Sequence, residues 1–280
     1  MRKPYLPVLI ALVGGAVGSG LRRWQLATGF ERETGLAVPG NIPAAALMVL
    51  TALMAAALLL LARKGAEELP FDTAFDARGD QIYMTCAVLA AFLMLGSAAA
   101  EGMALPAARA EMAAAQASGA MMPMASALPP LRVAGGVLGA GCILALGRNN
   151  YRGLGKGKEN LSLLGLCLVY GIWLISLYQD KVSDPVVQSY VYQVLAVVAS
   201  IMAFYYLAGW SFQKPVPRRT AFFCLMAVYL SPVALADIPS LADCLRLGAG
   251  LLFFASQMVI LLKEHPAGEV PAEREVKDHG

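Results

Sequence analysis

The sequence predicts an all-α fold, a polytopic bundle of eight transmembrane helices with both termini in the cytoplasm. Three observations predict it. Of 280 residues, 58% are hydrophobic and 15% are charged, where a soluble domain carries about 25% charge. The charges are also clustered, leaving eight long stretches without any, and most of these reach the roughly 17–25 apolar residues that a helix needs to cross a hydrocarbon core. Solid apolar blocks of this kind do not fit a membrane barrel, whose strands alternate over about ten residues. The third observation is an imbalance of Lys and Arg between the two sides. With the amino terminus inside, Arg2, Lys3, Arg63, Lys64, Arg78, Arg148, Arg152, Lys156, Lys158, Lys214, Arg218, Arg219, Lys263, Arg274 and Lys277 fall inside. Only Arg22, Arg23, Arg32, Arg109, Arg132, Lys181 and Arg246 fall outside, which is the bias that orients membrane proteins.

The first helix is predicted near 5–21. Its basic start and small residues have the layout of a secretory signal, and it is read as a retained span; removal would leave seven helices in the same orientation. Gly14 and Gly18 stand at GxxxG spacing, as do Gly135 and Gly139 in the fourth helix. Small residues four apart let two helix backbones approach, here within one chain. The second helix is placed near 42–62 and the third near 81–100. Between them "RKGAEELPFDTAFDARGD" reads as a cytoplasmic loop, with Phe71 and Phe75 four residues apart. After Glu101, Pro106 and the alanines that follow signal a short non-spanning helix near 106–118, ended by Gly119. Methionines gather around that segment, but no histidine or cysteine joins them to make a metal site.

The fourth helix, near 128–147, carries Arg132 close to its start. The loop after it, "RNNYRGLGKGKEN", is not a phosphate-binding P-loop, since no glycine stands five residues before either Gly-Lys pair and no Ser or Thr follows the lysine. It suits anionic lipid head groups instead. The fifth, sixth, seventh and eighth helices are expected near 161–179, 186–212, 220–236 and 246–262, with Arg246 snorkelling to the interface. Residues 263–280 form a polar tail, expected to be disordered. Trp24, Tyr178, Tyr190 and Tyr192 suit one interfacial belt, and Tyr5, Tyr83, Tyr151, Trp210 and Phe212 the other.

The chemistry available is narrow. Both histidines, His265 and His279, lie in the tail, which removes His-based acid–base catalysis and HExxH zinc sites. The five cysteines, at 86, 142, 167, 224 and 244, show no disulfide spacing. No cofactor and no metal is implied, and a net charge of +3 does not call for nucleic acid. No acid or base falls at the centre of a predicted helix, and Gln257, the most central polar side chain, is expected to make an interhelical hydrogen bond.

The remaining charges gather at the outer rim. Glu101 and Arg132, at neighbouring helix tops, form a candidate structural pair. Arg22, Arg23, Glu31, Asp180, Lys181, Asp184 and Asp237 form a candidate ligand-binding pocket, because Arg22 and Arg23 break the charge bias where they could hold an anion or pair with the aspartates. The function expected is therefore a non-catalytic binding, sensing or scaffold protein, its partners being membrane lipid and a small anionic ligand or protein at the outer face. The alternatives are a permease, with a cavity reaching Gln193 and Gln257, and an aspartate- and Mg²⁺-dependent lipid-modifying enzyme.

The segments "RRWQLATGFERETGL", "YQDKVSDPVVQSYVYQ" and "FYYLAGWSFQKPVPRR" together resemble a group of bacterial multi-pass membrane proteins of about eight helices to which no activity is assigned. With the helices between them they span most of the chain. The resemblance implies a bacterial cytoplasmic (inner) membrane location and carries over no site residue.

Overall fold

The computed structural model describes residues 5–31, 36, 38–65, 71–117, 123–153, 159–181, 189–212, 214–237 and 240–263. Its elements are α1 (Leu6–Thr28), α2 (Ile42–Gly65), α3 (Phe71–Ala74), α4 (Gln81–Ala117), α5 (Pro123–Arg152), α6 (Glu159–Lys181), α7 (Val191–Ser211), α8 (Pro217–Leu235) and α9 (Leu241–Leu261). All but the single turn α3 are long and apolar enough to cross a membrane. Leucines and valines cover the outside of the bundle, as Leu9, Val13 and Val17 do on α1 and Met48, Val49 and Leu53 on α2. A surface of that kind suits hydrocarbon as solvent.

α4 packs against α5 and α9, α6 against α5 and α7, and α8 against α7, α9, α1 and α2. Successive spans alternate in direction, so the bundle has an Arg22 end and a Lys263 end. Two close approaches depend on glycine. A Cβ on Gly15 would stand 2.8 Å from the Tyr229 carbonyl oxygen of α8, and one on Gly136 would stand 2.8 Å from Ala98 Cβ of α4. Of the predicted stripes, Gly18 faces Val233 of α8 and Gly14 faces Met54 of α2, while Gly139 faces Met94 of α4 and Gly135 faces Val169 of α6, so both are used inside the chain. Between the two ends the interior is filled by Tyr170, Phe204, Phe253 and Phe254, all buried. Phe204 lies 5.0 Å from Tyr170, 5.5 Å from Phe253 and 4.7 Å from Phe254 between ring centroids.

Several elements differ from the sequence pattern. α1 continues through Thr28, so the arginine pair is helical. α4 is a single helix to Ala117, about 55 Å at 1.5 Å per residue, where the pattern separates a span ending at 100 from a short helix near 106–118. Pro106 removes one backbone bond, but the alanines after it are the strongest helix formers and carry the helix on. Glu101 consequently lies well inside a helix. Phe75, in the turn after α3, is buried edge-on against Trp210, with ring centroids 5.3 Å apart. Tyr83, Tyr192 and Trp210 are interior residues and not members of a belt. Trp24, Tyr178, Tyr5 and Phe212 are exposed, as belt residues are. The tail beyond Lys263 lies outside the described residues.

Candidate functional site at the Arg22 end

The buried residues of α1 are Val8, Ala11, Gly15, Gly18, Arg22 and Gln25, a stripe at alternating spacings of three and four. Arg22 continues that seam, whereas Arg23, about 100° further round the helix, is exposed. Arg22 is 0% exposed and its guanidinium is well supplied with acceptors. Nε donates to Asp237 Oδ1 at 2.5 Å, Nη1 to Gln25 Oε1 at 2.9 Å, and Nη2 to the Ser189 carbonyl oxygen at 2.9 Å. The group also lies 5.1 Å from the centroid of the Tyr192 ring, a cation–π contact. Burial pushes the Asp237 carboxyl above its usual range, and the hydrogen bond and charge of Arg22 oppose that push.

A second network joins α4, α5, α6, α7 and α9. Arg132 lies 2.7 Å from Glu101, 3.2 Å from Asp180 and 3.3 Å from Asp243. It also donates to Ser176 Oγ at 3.2 Å. Asp243 accepts from Trp173 Nε1 at 2.8 Å, from Ser240 Oγ at 2.8 Å and from Gln193 Nε2 at 3.5 Å. Ser240 caps α9, its hydroxyl oxygen accepting from the backbone N–H of Asp243, a bond local to the helix's first turn. Arg246, only 1% exposed, lies 2.9 Å from Glu101 Oε2, and its guanidinium carbon is 5.0 Å from the Trp173 ring centroid. Among the described residues its Nε and Nη1 have no hydrogen-bond acceptor, Nη1 standing 3.9 Å from Asp243 Oδ1, and Glu101 Oε2 has no properly aligned donor.

The predicted candidates thus fall into separate places. Arg22 and Asp237 form one cluster. Asp180 joins Arg132 and Glu101 in another, with its own side chain 61% exposed. Arg23 and Glu31 are exposed, and Lys181 is half-buried. Asp184 lies outside the described residues. Arg246 and Asp243 were not among the predicted site residues, and Arg246 points inward where snorkelling was expected. A signal for both was present in "SLADCLR". Ser240 three residues before Asp243 is a helix cap, and Arg246 one turn on shares the face of Asp243.

At the opposite end, Asn150 Nδ2 and Gln257 Nε2 both donate to Tyr83 Oη, at 2.9 Å and 2.8 Å, with all three residues buried. Gln257 therefore makes an interhelical hydrogen bond. The aromatic layer separates this triad from Gln193. Among the described residues no three His, Cys, Asp or Glu side chains are grouped as a metal ion would need. The carboxylates of the Arg22 end are held by guanidinium groups. Comparison with protein-family models, with curated proteins and with solved structures finds no match to the chain.

Proposed function

We propose that the chain is an integral protein of the bacterial cytoplasmic membrane, with both termini inside, and that it binds a small anionic ligand at the Arg22 end without catalysing a reaction on it. The observation that carries this reading is Arg246, buried yet with two donor nitrogens unmatched. Ionisable groups inside membrane helices are costly and mark function by default, and a buried donor left without an acceptor costs about 1–3 kcal/mol. A carboxylate is the group that guanidinium donors address best, by paired and charge-assisted bonds. Arg132 and Arg246 face three carboxylates, those of Glu101, Asp243 and the exposed Asp180, so selectivity would come from directed donors and not from net positive charge. Arg22, by contrast, is fully engaged and serves as a cross-link between α1, the end of α8 and the start of α7.

The test is thermal melting of the detergent-purified protein against small carboxylic acids and their uncharged amides. Carboxylates are expected to raise Tm and amides not. Arg23→Gln should leave the shift intact, while Glu101→Gln, which removes one competing negative charge and keeps the side-chain shape, should strengthen it. A panel without any shift, or a shift indifferent to Glu101→Gln, overturns the reading. Orientation has its own check, since Cys244 should be labelled by impermeant thiol reagents from outside the cell, and labelling only from inside would reverse it.

A further inference from the structure

At the Lys263 end α4 begins beside the last turns of α5, and between them a cavity of about 500 Å³ opens to the surface, lined by Gln81, Met84, Thr85, Arg148, Tyr151 and Arg152. Helical spacing builds both walls, because Gln81 and Thr85 are one turn apart on α4 and Arg148 and Arg152 one turn apart on α5. Both arginines are exposed, and neither has a hydrogen-bond or ion-pair partner among the described residues. That sets them apart from Arg22, Arg132 and Arg246, each of which is tied to a carboxylate. A third cation, Arg78, lies against Gly153, whose φ of 64° ends α5 in the left-handed conformation that glycine favours.

The cavity has an apolar continuation. One turn before Arg148 on α5 stands Leu144, and one turn after Thr85 on α4 stands Leu89, both exposed. Gly141, about one turn further along α5, is exposed, and a Cβ there would meet nothing within 4 Å. A cup of donors thus sits above exposed apolar surface on the same helix faces, with open space at Gly141. Free phosphate would need only the cup, whereas a lipid would use cup and apolar surface together.

We propose that this α4–α5 cavity binds the phosphate of an anionic membrane lipid, with Arg148, Arg152 and Tyr151 donating to the phosphate oxygens and an acyl chain lying along Leu89, Gly141 and Leu144. Unpaired guanidinium groups in a basic hollow between spans are what an anionic head group requires. The choline head group carries its own cation and gains nothing there. The site is remote from the Arg246 network and does not depend on it.

The full-length protein in neutral detergent is titrated with phosphatidylglycerol, phosphatidylcholine or inorganic phosphate, with binding read by native mass spectrometry and by Tm. Phosphatidylglycerol is expected to bind and to raise Tm, and phosphatidylcholine to bind far more weakly. Arg148→Gln with Arg152→Gln should weaken phosphatidylglycerol binding about thirtyfold. Both residues are exposed, so the lipid-free variant should melt as the parent does. Gly141→Phe, which fills that open space, should weaken the lipid and leave any inorganic phosphate binding unchanged. Equal binding of both lipids, or an arginine variant that binds like the parent, overturns the site. Inorganic phosphate matching phosphatidylglycerol, with Gly141→Phe silent, overturns the lipid assignment.

Discussion

The two ends of the bundle solve one problem in different ways. Both bury polar side chains among apolar helices. At the Lys263 end the solution is neutral, a phenol accepting from two amides, Asn150 and Gln257. At the Arg22 end it is ionic, with Arg132 and Arg246 bridging Glu101 and Asp243 across α4, α5 and α9. A neutral triad needs no counter-charge, and its loss leaves a few dipoles unmatched. An ionic network breaks even at best, because the desolvation of each ion offsets the attraction between them. Among the described residues a buried ionic network stands only at the Arg22 end, and the unmatched donors of Arg246, on which the proposed ligand site rests, lie there.

The sharpest way to break this contrast is Arg132→Met, which leaves Glu101 and Asp243 short of a counter-charge. Destabilisation of about 3–5 kcal/mol is expected, measured by reversible unfolding in mixed micelles. A loss under 1 kcal/mol would show that the carboxylates do not depend on Arg132. Tyr83→Phe at the other end removes the shared hydroxyl and keeps the ring, and should cost about 1–2 kcal/mol. If it matched Arg132→Met, the distinction between neutral and ionic ends would fall. The smallest effect concerns acid. Lys263 donates to Asp80, which also caps α4 by accepting from the Tyr83 backbone N–H. The Lys263 hydrogen bond is the main cause holding the Asp80 carboxyl below the ordinary carboxylate range. A carboxyl whose pKa is lowered on folding adds stability above its unfolded pKa and loses it as pH falls through the folded one. Asp80→Asn should therefore lower Tm modestly near neutrality, where that contribution is complete, and flatten the acid side of the Tm–pH curve below about pH 4, where variant and parent converge.

The spans were legible because burial in hydrocarbon demands unbroken apolar runs, and 42–62 and 161–179 coincide closely with α2 and α6. Helix ends were less so. α1 absorbs Arg22 and Arg23 because the seam from Val8 to Gln25 continues past the charges, a periodic feature that a search for uncharged stretches cuts short. The same habit separated Glu101 from the helix it lies in. Arg22 stood out through its sign on the wrong side, and Glu101 with Arg132 through hairpin adjacency. Their distant partners, Asp237 for Arg22 and Arg246 for Glu101, depend on how non-adjacent helices are arranged, which no local pattern records.

The aromatic layer has an electrical consequence. Phe204, Phe253 and Phe254 offer no group along which a proton can hop, so these three rings do not link the hydrogen-bonded clusters at the two ends. In a bilayer that layer would stand as insulation between the ionised groups of one end and the neutral triad of the other.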